Sequence, residues 1–165
     1  MIVIVDTTPL NYLVLIGQAD VLRELYGRVL VPQAVLAELQ SSETPDAVRA
    51  WVAETPEWVE VRRVTPTSDD TLRKLGAGES EAIALAQELR ADTIIMDEKD
   101  GRQEAVRRNL RVIGTLRVLS DAAERGLLDL AEAFERLQQT SFRASQELYQ
   151  RFLDLDAKRN HGDAN

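Results

Sequence analysis

The chain has 165 residues, a formal net charge of −8, 44% hydrophobic and 29% charged residues, no cysteine and one histidine. That length suits one domain with a sizeable core, and the composition is that of a globular protein without a membrane-spanning helix. It excludes a disulfide framework and a thiolate zinc site, argues against a basic nucleic-acid coat, and leaves His161 in the polar tail KRNHGDAN as the only histidine, so hydrolysis must rest on other groups.

Met1 to Val5 form a continuous apolar run, which predicts a strand buried on both faces. Asp6 follows at its carboxyl end, and Pro9 favours the first turn of a helix expected over Leu10–Ile16. Asp6 is then either a helix cap or a site acid, because ligands of parallel sheets bind beyond the carboxyl ends of strands. A second helix is expected over Ala19–Tyr26 and a second strand over Arg28–Pro32. Pro32 opens a helix to about Gln40, on which Glu38 borders the apolar stripe of Val35, Leu36 and Leu39. A further helix is expected over Pro45–Ala53. Trp58–Val64 alternates apolar and polar residues, which predicts an exposed edge strand. After TPTSDD, a short helix runs to Leu75.

The stretch GAGESEAIALAQEL predicts a helix over Gly76–Leu89. Glu79 shares the stripe of Ile83 and Ala86, whereas Glu81 lies about 200° away. Glu79 is the better candidate to face a cleft, with Glu81 an alternative; both could instead complement the helix dipole. Thr93–Met96 is a short buried strand with Asp97 at its carboxyl end, which repeats the placement of Asp6. A helix follows over Glu98–Asn109, with Asp100 a second acid or a capping partner and Arg102 about one turn past Asp97. Leu110–Thr115 is the last strand. Helices are then expected over Leu116–Arg125, Asp129–Gln139 and Ser145–Leu155, so that residues 1–155 form the domain and residues 156–165 a mobile tail. The chain start lacks the pattern of a secretory leader, which fits a cytoplasmic protein.

Four acids converge in this reading: Asp6, Glu38, Glu79 and Asp97. Grouped carboxylates repel one another unless a cation neutralises them. An all-oxygen set without cysteine or a useful histidine suits Mg²⁺ or Mn²⁺ rather than zinc. Such an ion activates water and stabilises charge on a phosphoryl group. Thr7 or Thr8 could hold water or a phosphate oxygen. Lys99, Arg102, Arg107, Arg108, Arg111 and Arg117 follow Asp97, and Arg62 and Arg63 lie on the edge strand. Most of these arginines are expected to form a solvated face paired with residues such as Glu98 and Glu104, and Arg102 is the best candidate for a phosphate contact.

DTTPL at Asp6, VPQAVLAEL with Glu38, GAGESEAIALA with Glu79, IIMDEKDGR with Asp97, and RVIGTLRVL together resemble a PIN domain over nearly the whole chain. The DTTPL start, with Thr8 in place of a usual serine, is similar to the compact VapC-like branch. The resemblance implies a three-layer α/β/α sandwich with a mainly parallel sheet and extra C-terminal helices. It also implies an Mg²⁺- or Mn²⁺-dependent ribonuclease, commonly a homodimer, with Asp6, Glu38, Glu79 and Asp97 matching the acidic quartet. Many such relatives are toxins silenced by a small antitoxin. A non-cleaving RNA- or protein-binding module is the competing reading, favoured by the −8 charge. A phosphotransferase of the haloacid type needs an aspartate two residues after Asp6, where Thr8 stands, and a receiver domain orders its acids differently.

Overall fold

A computed structural model describes residues 1–162. In chain order the elements are β1 (Val3–Val5), α1 (Thr7–Leu15), α2 (Val21–Tyr26), β2 (Val29–Pro32), α3 (Gln33–Leu39), α4 (Asp46–Ala53), β3 (Val59–Arg62), α5 (Asp70–Arg73), α6 (Ala77–Leu89), β4 (Thr93–Ile95), α7 (Lys99–Arg107), β5 (Val112–Ile113), α8 (Thr115–Glu124), α9 (Leu130–Gln138) and α10 (Gln146–Gly162). The five expected strands form one parallel sheet in the order β3-β2-β1-β4-β5. The alternating segment Trp58–Val64 supplies β3 at an edge, as its pattern requires.

The apolar strands feed two cores because successive side chains leave a strand on opposite faces. Val3 and Val5 of β1 join Val29, Val31, Ile95 and Ile113 on one face, against α1, α2, α4, α8 and α9. Ile4, Leu30, Ile94 and Met96 point to the other face, against α5, α6 and α7. The result is the expected three-layer α/β/α sandwich.

The strand order matters for function. The chain moves outward from β1 to β2 and β3, then returns to place β4 on the other side of β1, and ends at β5. The crossover helices change face at the same point, as a constant crossover hand demands. Helices α1, α2 and α4 serve the first direction, and α5, α6 and α7 the second. The order therefore reverses between β1 and β4, and in sheets of this kind ligands bind beyond the carboxyl ends at such a point.

Most helix ends fall within about two residues of those read in the sequence, and two differ by more. Helix α1 begins at Thr7 rather than Leu10, with Asp6 at the N-cap position and Pro9 third in the helix. Proline is tolerated there because the first backbone N–H groups of a helix have no internal partner. Helix α10 continues past Leu155 to Gly162, and Arg159 near its end lies 3.5 Å from Glu124 of α8. Of the tail expected over residues 156–165, residues 163–165 lie outside the described part. The added helices are core rather than ornament: Leu130, Ala133, Phe134 and Leu137 of α9 are buried, and Phe134 meets Tyr149 of α10 edge-on at 5.1 Å. Among the described residues, no helix is long and apolar enough to cross a membrane.

Candidate active site

β1 and β4 run in register, with Val3 opposite Thr93 and Val5 opposite Ile95. Their carboxyl ends therefore finish side by side. The Asp6 N–H donates to the Ile95 carbonyl at 3.0 Å, which ties the residue after β1 to the end of β4. Asp97 follows two residues beyond Ile95. The two strand-end aspartates thus flank the reversal point of the sheet.

Asp6 is 2% exposed, and its Oδ1 has no hydrogen-bond partner. It occupies the N-cap position of α1 but makes no capping hydrogen bond, so the simple cap is not its role. Burial is the main influence pushing its pKa up to about 7, and the charges of Glu79, Glu38 and Asp97 add to it, while the nearby Thr7 N–H works the other way. A buried polar atom without a partner costs free energy, roughly 1–3 kcal/mol and more when charged. Nothing in the packing of β1 requires that cost.

Glu38 is fixed by two donors. The Thr7 hydroxyl donates to its Oε2, and the Gly78 N–H donates to its Oε1 at 2.9 Å. Gly78 is the second residue of α6, so its N–H would otherwise be unpaired, and the carboxylate sits at the positive end of that helix. Glu79, the next residue, is half-buried; burial and the charges of Glu98, Glu38 and Asp100 raise its pKa. Asp97 accepts from the Thr115 N–H (2.9 Å, Oδ1) and from the Thr115 hydroxyl (2.6 Å, Oδ2). Burial raises its pKa and outweighs those two bonds and the Arg102 charge.

Glycines let these groups approach the backbone. A Cβ on Gly78 would sit 2.9 Å from both Glu38 Oε2 and Thr7 Oγ1, and one on Gly114 would sit 2.8 Å from Asp97 Oδ1 and 3.0 Å from Arg102 Nη1. One on Gly101 would lie 2.8 Å from Glu79 Oε2. Three of the four acids are therefore seated where any side chain would collide with them.

The arrangement suits a hydrated divalent cation. Among the described residues no three acids close tightly enough to hold an ion by protein atoms alone. Mg²⁺ seldom needs that: it keeps several waters and takes one or two carboxylates. An unpartnered Asp6 oxygen, surrounded by like charge and oxygen donors only, fits such an ion.

A family model described as a PIN domain matches residues 2–158. The chain belongs to the PIN-domain family. No curated protein matches it. PIN domains are in general nucleases that act on nucleic acids, and they typically use divalent metals.

The geometry of this PIN domain also places the remaining candidates. Glu81 points away from the acids: its Oε1 accepts from the Ala34 N–H of α3 at 3.1 Å. Pro32, the N-cap of α3, makes no side-chain cap bond, so Glu81 supplies one from outside. Helices α3 and α6 thus exchange caps, Glu38 for α6 and Glu81 for α3. Thr8 leans toward Glu98 (3.4 Å), not toward the acids, whereas Thr7 orients Glu38. Asp100 is exposed and reaches the centre only through its charge on Glu79. Arg102 donates to the Met96 carbonyl at 2.9 Å and stands beside Asp97. Arg107 lies near Glu104 and Arg62 binds Glu60, as expected for a solvated paired face. Arg108 departs from that expectation: it is held by Glu104 (2.7 Å) and Asp69 (2.9 Å), and its side chain is only 16% and that of Glu104 8% exposed. Thr115 was not foreseen. Its only signal is the Gly-Thr step between the last strand and α8, where a hydroxyl at a helix start can serve a neighbouring strand-end acid.

Two substitutions separate these roles. Gly78→Ala favours the helix by about 0.5–1 kcal/mol, yet its methyl displaces Glu38 and Thr7. Displacing Glu38 also removes the cap of α6, about 1 kcal/mol, so the expected result is an unchanged or slightly lower melting temperature with at least about tenfold weaker Mn²⁺ binding, measured by calorimetry. Glu81→Gln keeps the acceptor for Ala34 and is expected to retain activity. Glu81→Ala loses the cap and about 1 kcal/mol of stability. Equal inactivity of both Glu81 variants would instead make Glu81 a site acid.

Proposed function

We propose that this protein is an Mg²⁺- or Mn²⁺-dependent endoribonuclease of the VapC-like branch, the toxin of a pair whose small antitoxin keeps it silent, and that it works as a homodimer. The observation that carries the reading is the buried, unpartnered Asp6 oxygen at the sheet's reversal point, with Glu38, Glu79 and Asp97 around it. Asp6 and Asp97, with Glu79, would hold the ion, and Glu38 would complete the acidic set. When bound, the cation supplies neutralisation of the phosphodiester charge and activation of the attacking water.

The chain's own residues then have distinct tasks. Thr115 holds Asp97 in one orientation through both its oxygens. Thr7 and Gly78 do the same for Glu38. Arg102, anchored on the Met96 carbonyl, keeps a positive charge next to Asp97, where a phosphate oxygen can meet it. Thr8 and Asp100 stand at the margin of this set.

The competing reading, a PIN-like module that binds without cutting, draws on the −8 charge and on the absence of three tightly converged acids among the described residues. Purified protein incubated with labelled single-stranded and structured RNAs and Mn²⁺ decides between them. Endonucleolytic products that vanish in excess chelator and in Asp6→Asn support the nuclease. Cleavage equal in wild type and Asp6→Asn, or no cleavage of any RNA, favours the binding module.

A further inference from the structure

Three recesses adjoin the acidic centre, and they differ in charge. One of about 340 Å³ beside Glu38 carries Glu43 and no cation. One of about 200 Å³ beside Glu79 sets Lys74 and Lys99 against Glu79, Glu98 and Asp100. The third, about 380 Å³, sets Arg102, Arg117 and Arg143 against Asp97 alone, with Phe142 and Phe152 also lining it. Of these three recesses, only this one has an excess of positive lining.

Its cations are available to a ligand. Arg143 is exposed, with no ion pair or hydrogen bond among the described residues. Arg117 engages Asp121 through Nε at 2.9 Å and makes no other bond among the described residues, so its terminal nitrogens are unengaged. The loop that carries Phe142 and Arg143 is pinned to α1: the Tyr12 hydroxyl lies 2.7 Å from Ser141 Oγ, and the Tyr12 and Phe142 rings meet edge-on at 5.1 Å. Aromatic lining next to arginines suits a nucleobase with its phosphate, since every base has a face to stack and every linkage a charge to pair. A base can stack on side chains in such a recess only when it is unpaired.

We infer that this recess is a nucleotide subsite: it takes one unpaired nucleotide of the RNA flanking the cleaved linkage, its phosphate against Arg143 and Arg117 and its base against Phe142 and Phe152. The inference rests on the nuclease reading for the word "cleaved", but binding alone tests the subsite. The strand thereby runs from the acidic centre across the β5 and α8 side of the domain, away from Glu43 and Asp100.

The test uses the full chain carrying Asp6→Asn, to prevent cleavage, and a fluorescein-labelled single-stranded RNA oligonucleotide. Arg143→Ala is expected to weaken binding by about tenfold and to lower the slope of log Kd against log salt by about one. Phe142→Leu, which keeps the loop's apolar packing, is expected to weaken binding to a similar extent without changing that slope. Lys74→Ala, on the recess beside Glu79, is expected to change binding less than about twofold. With Asp6 intact, Arg143→Ala should raise KM and leave kcat nearly unchanged. Wild-type affinity in both Arg143→Ala and Phe142→Leu overturns the subsite, as does equal binding of a fully paired duplex. If the wild-type protein binds with this pattern but never cleaves, the subsite stands and the nuclease reading falls.

Discussion

Asp6→Asn is expected to abolish cleavage and, at the same time, to make the metal-free protein more stable at pH 8. Both effects come from one side chain. Asp6 is 2% exposed, its Oδ1 is unpartnered, and burial with three neighbouring acids lifts its pKa to about 7. A carboxyl so placed is ionised at pH 8 in the fold at a cost it escapes in the unfolded chain. The rise from 3.8 to about 7 is worth on the order of 4 kcal/mol. Asparagine has the same shape and no charge, so it relieves that cost, but its amide must also be buried, which returns roughly 1–3 kcal/mol. The net expectation is a metal-free melting temperature higher by on the order of 5 °C at pH 8, given about 2–4 °C per kcal/mol at this size. Activity should fall at least about 100-fold, because even partners outside a metal's immediate ligands are worth 10–100-fold. An aspartate serving only as a helix cap predicts a different pattern: nearly unchanged stability, because asparagine caps a helix about as well as aspartate, and full activity. A variant that is fully active and no more stable would therefore remove Asp6 from the centre of the site.

The site was legible to unequal degrees. Asp6 and Asp97 could be placed from sequence because buried parallel strands are continuous apolar runs, and the residue after such a run has only one address. Glu38 could be suspected because it sits beside an apolar helical stripe where a solvating glutamate has no business. Glu79 and Glu81 were separated only by angle, and what distinguishes them in the fold is not periodicity but the Ala34 N–H that occupies Glu81. That partner lies 47 residues away and belongs to another helix. Thr115 was missed for the same reason: its bond to Asp97 spans 18 residues and depends on β5 pairing with β4. Helix α1 starts three residues before the Leu10 that the sequence predicts, because Pro9 fits the third helical position as well as the first: none of the first turn's N–H groups has a partner within the helix. Arg143 carries no local pattern. It becomes interesting only once the loop after α9 folds back toward Asp97.

The largest effect of conditions rather than of mutation should be the dependence of stability on pH and divalent cation. The folded protein binds its Asp6 proton more tightly than the unfolded chain does, so between the unfolded pKa of 3.8 and the folded value of about 7 the native state holds more protons. Stability conferred by this group is fully present below the lower value and is lost as pH rises through the upper one. Asp97 and Glu79 shift in the same direction and reinforce the trend, Glu79 less because water reaches it. The metal-free protein should thus lose stability from about pH 5 to pH 8, the opposite of a protein held by depressed carboxylates. A cation that binds the ionised cluster reverses the slope. At a hundred times its Kd it adds about 2.7 kcal/mol, or roughly 5–10 °C at pH 8, and almost nothing at pH 5, where Asp6 is protonated. An ion held by Asp6 is also expected to release protons near neutrality, since that carboxyl, with a pKa of about 7, is partly protonated beforehand. Melting curves at pH 5 and pH 8 with and without Mn²⁺, and calorimetric titrations in two buffers of different ionisation enthalpy, measure both quantities. Superimposable melting curves with and without Mn²⁺ at pH 8, and no proton release, would mean that the four acids repel one another with no ion to join them, and the catalytic reading would then lose its physical basis.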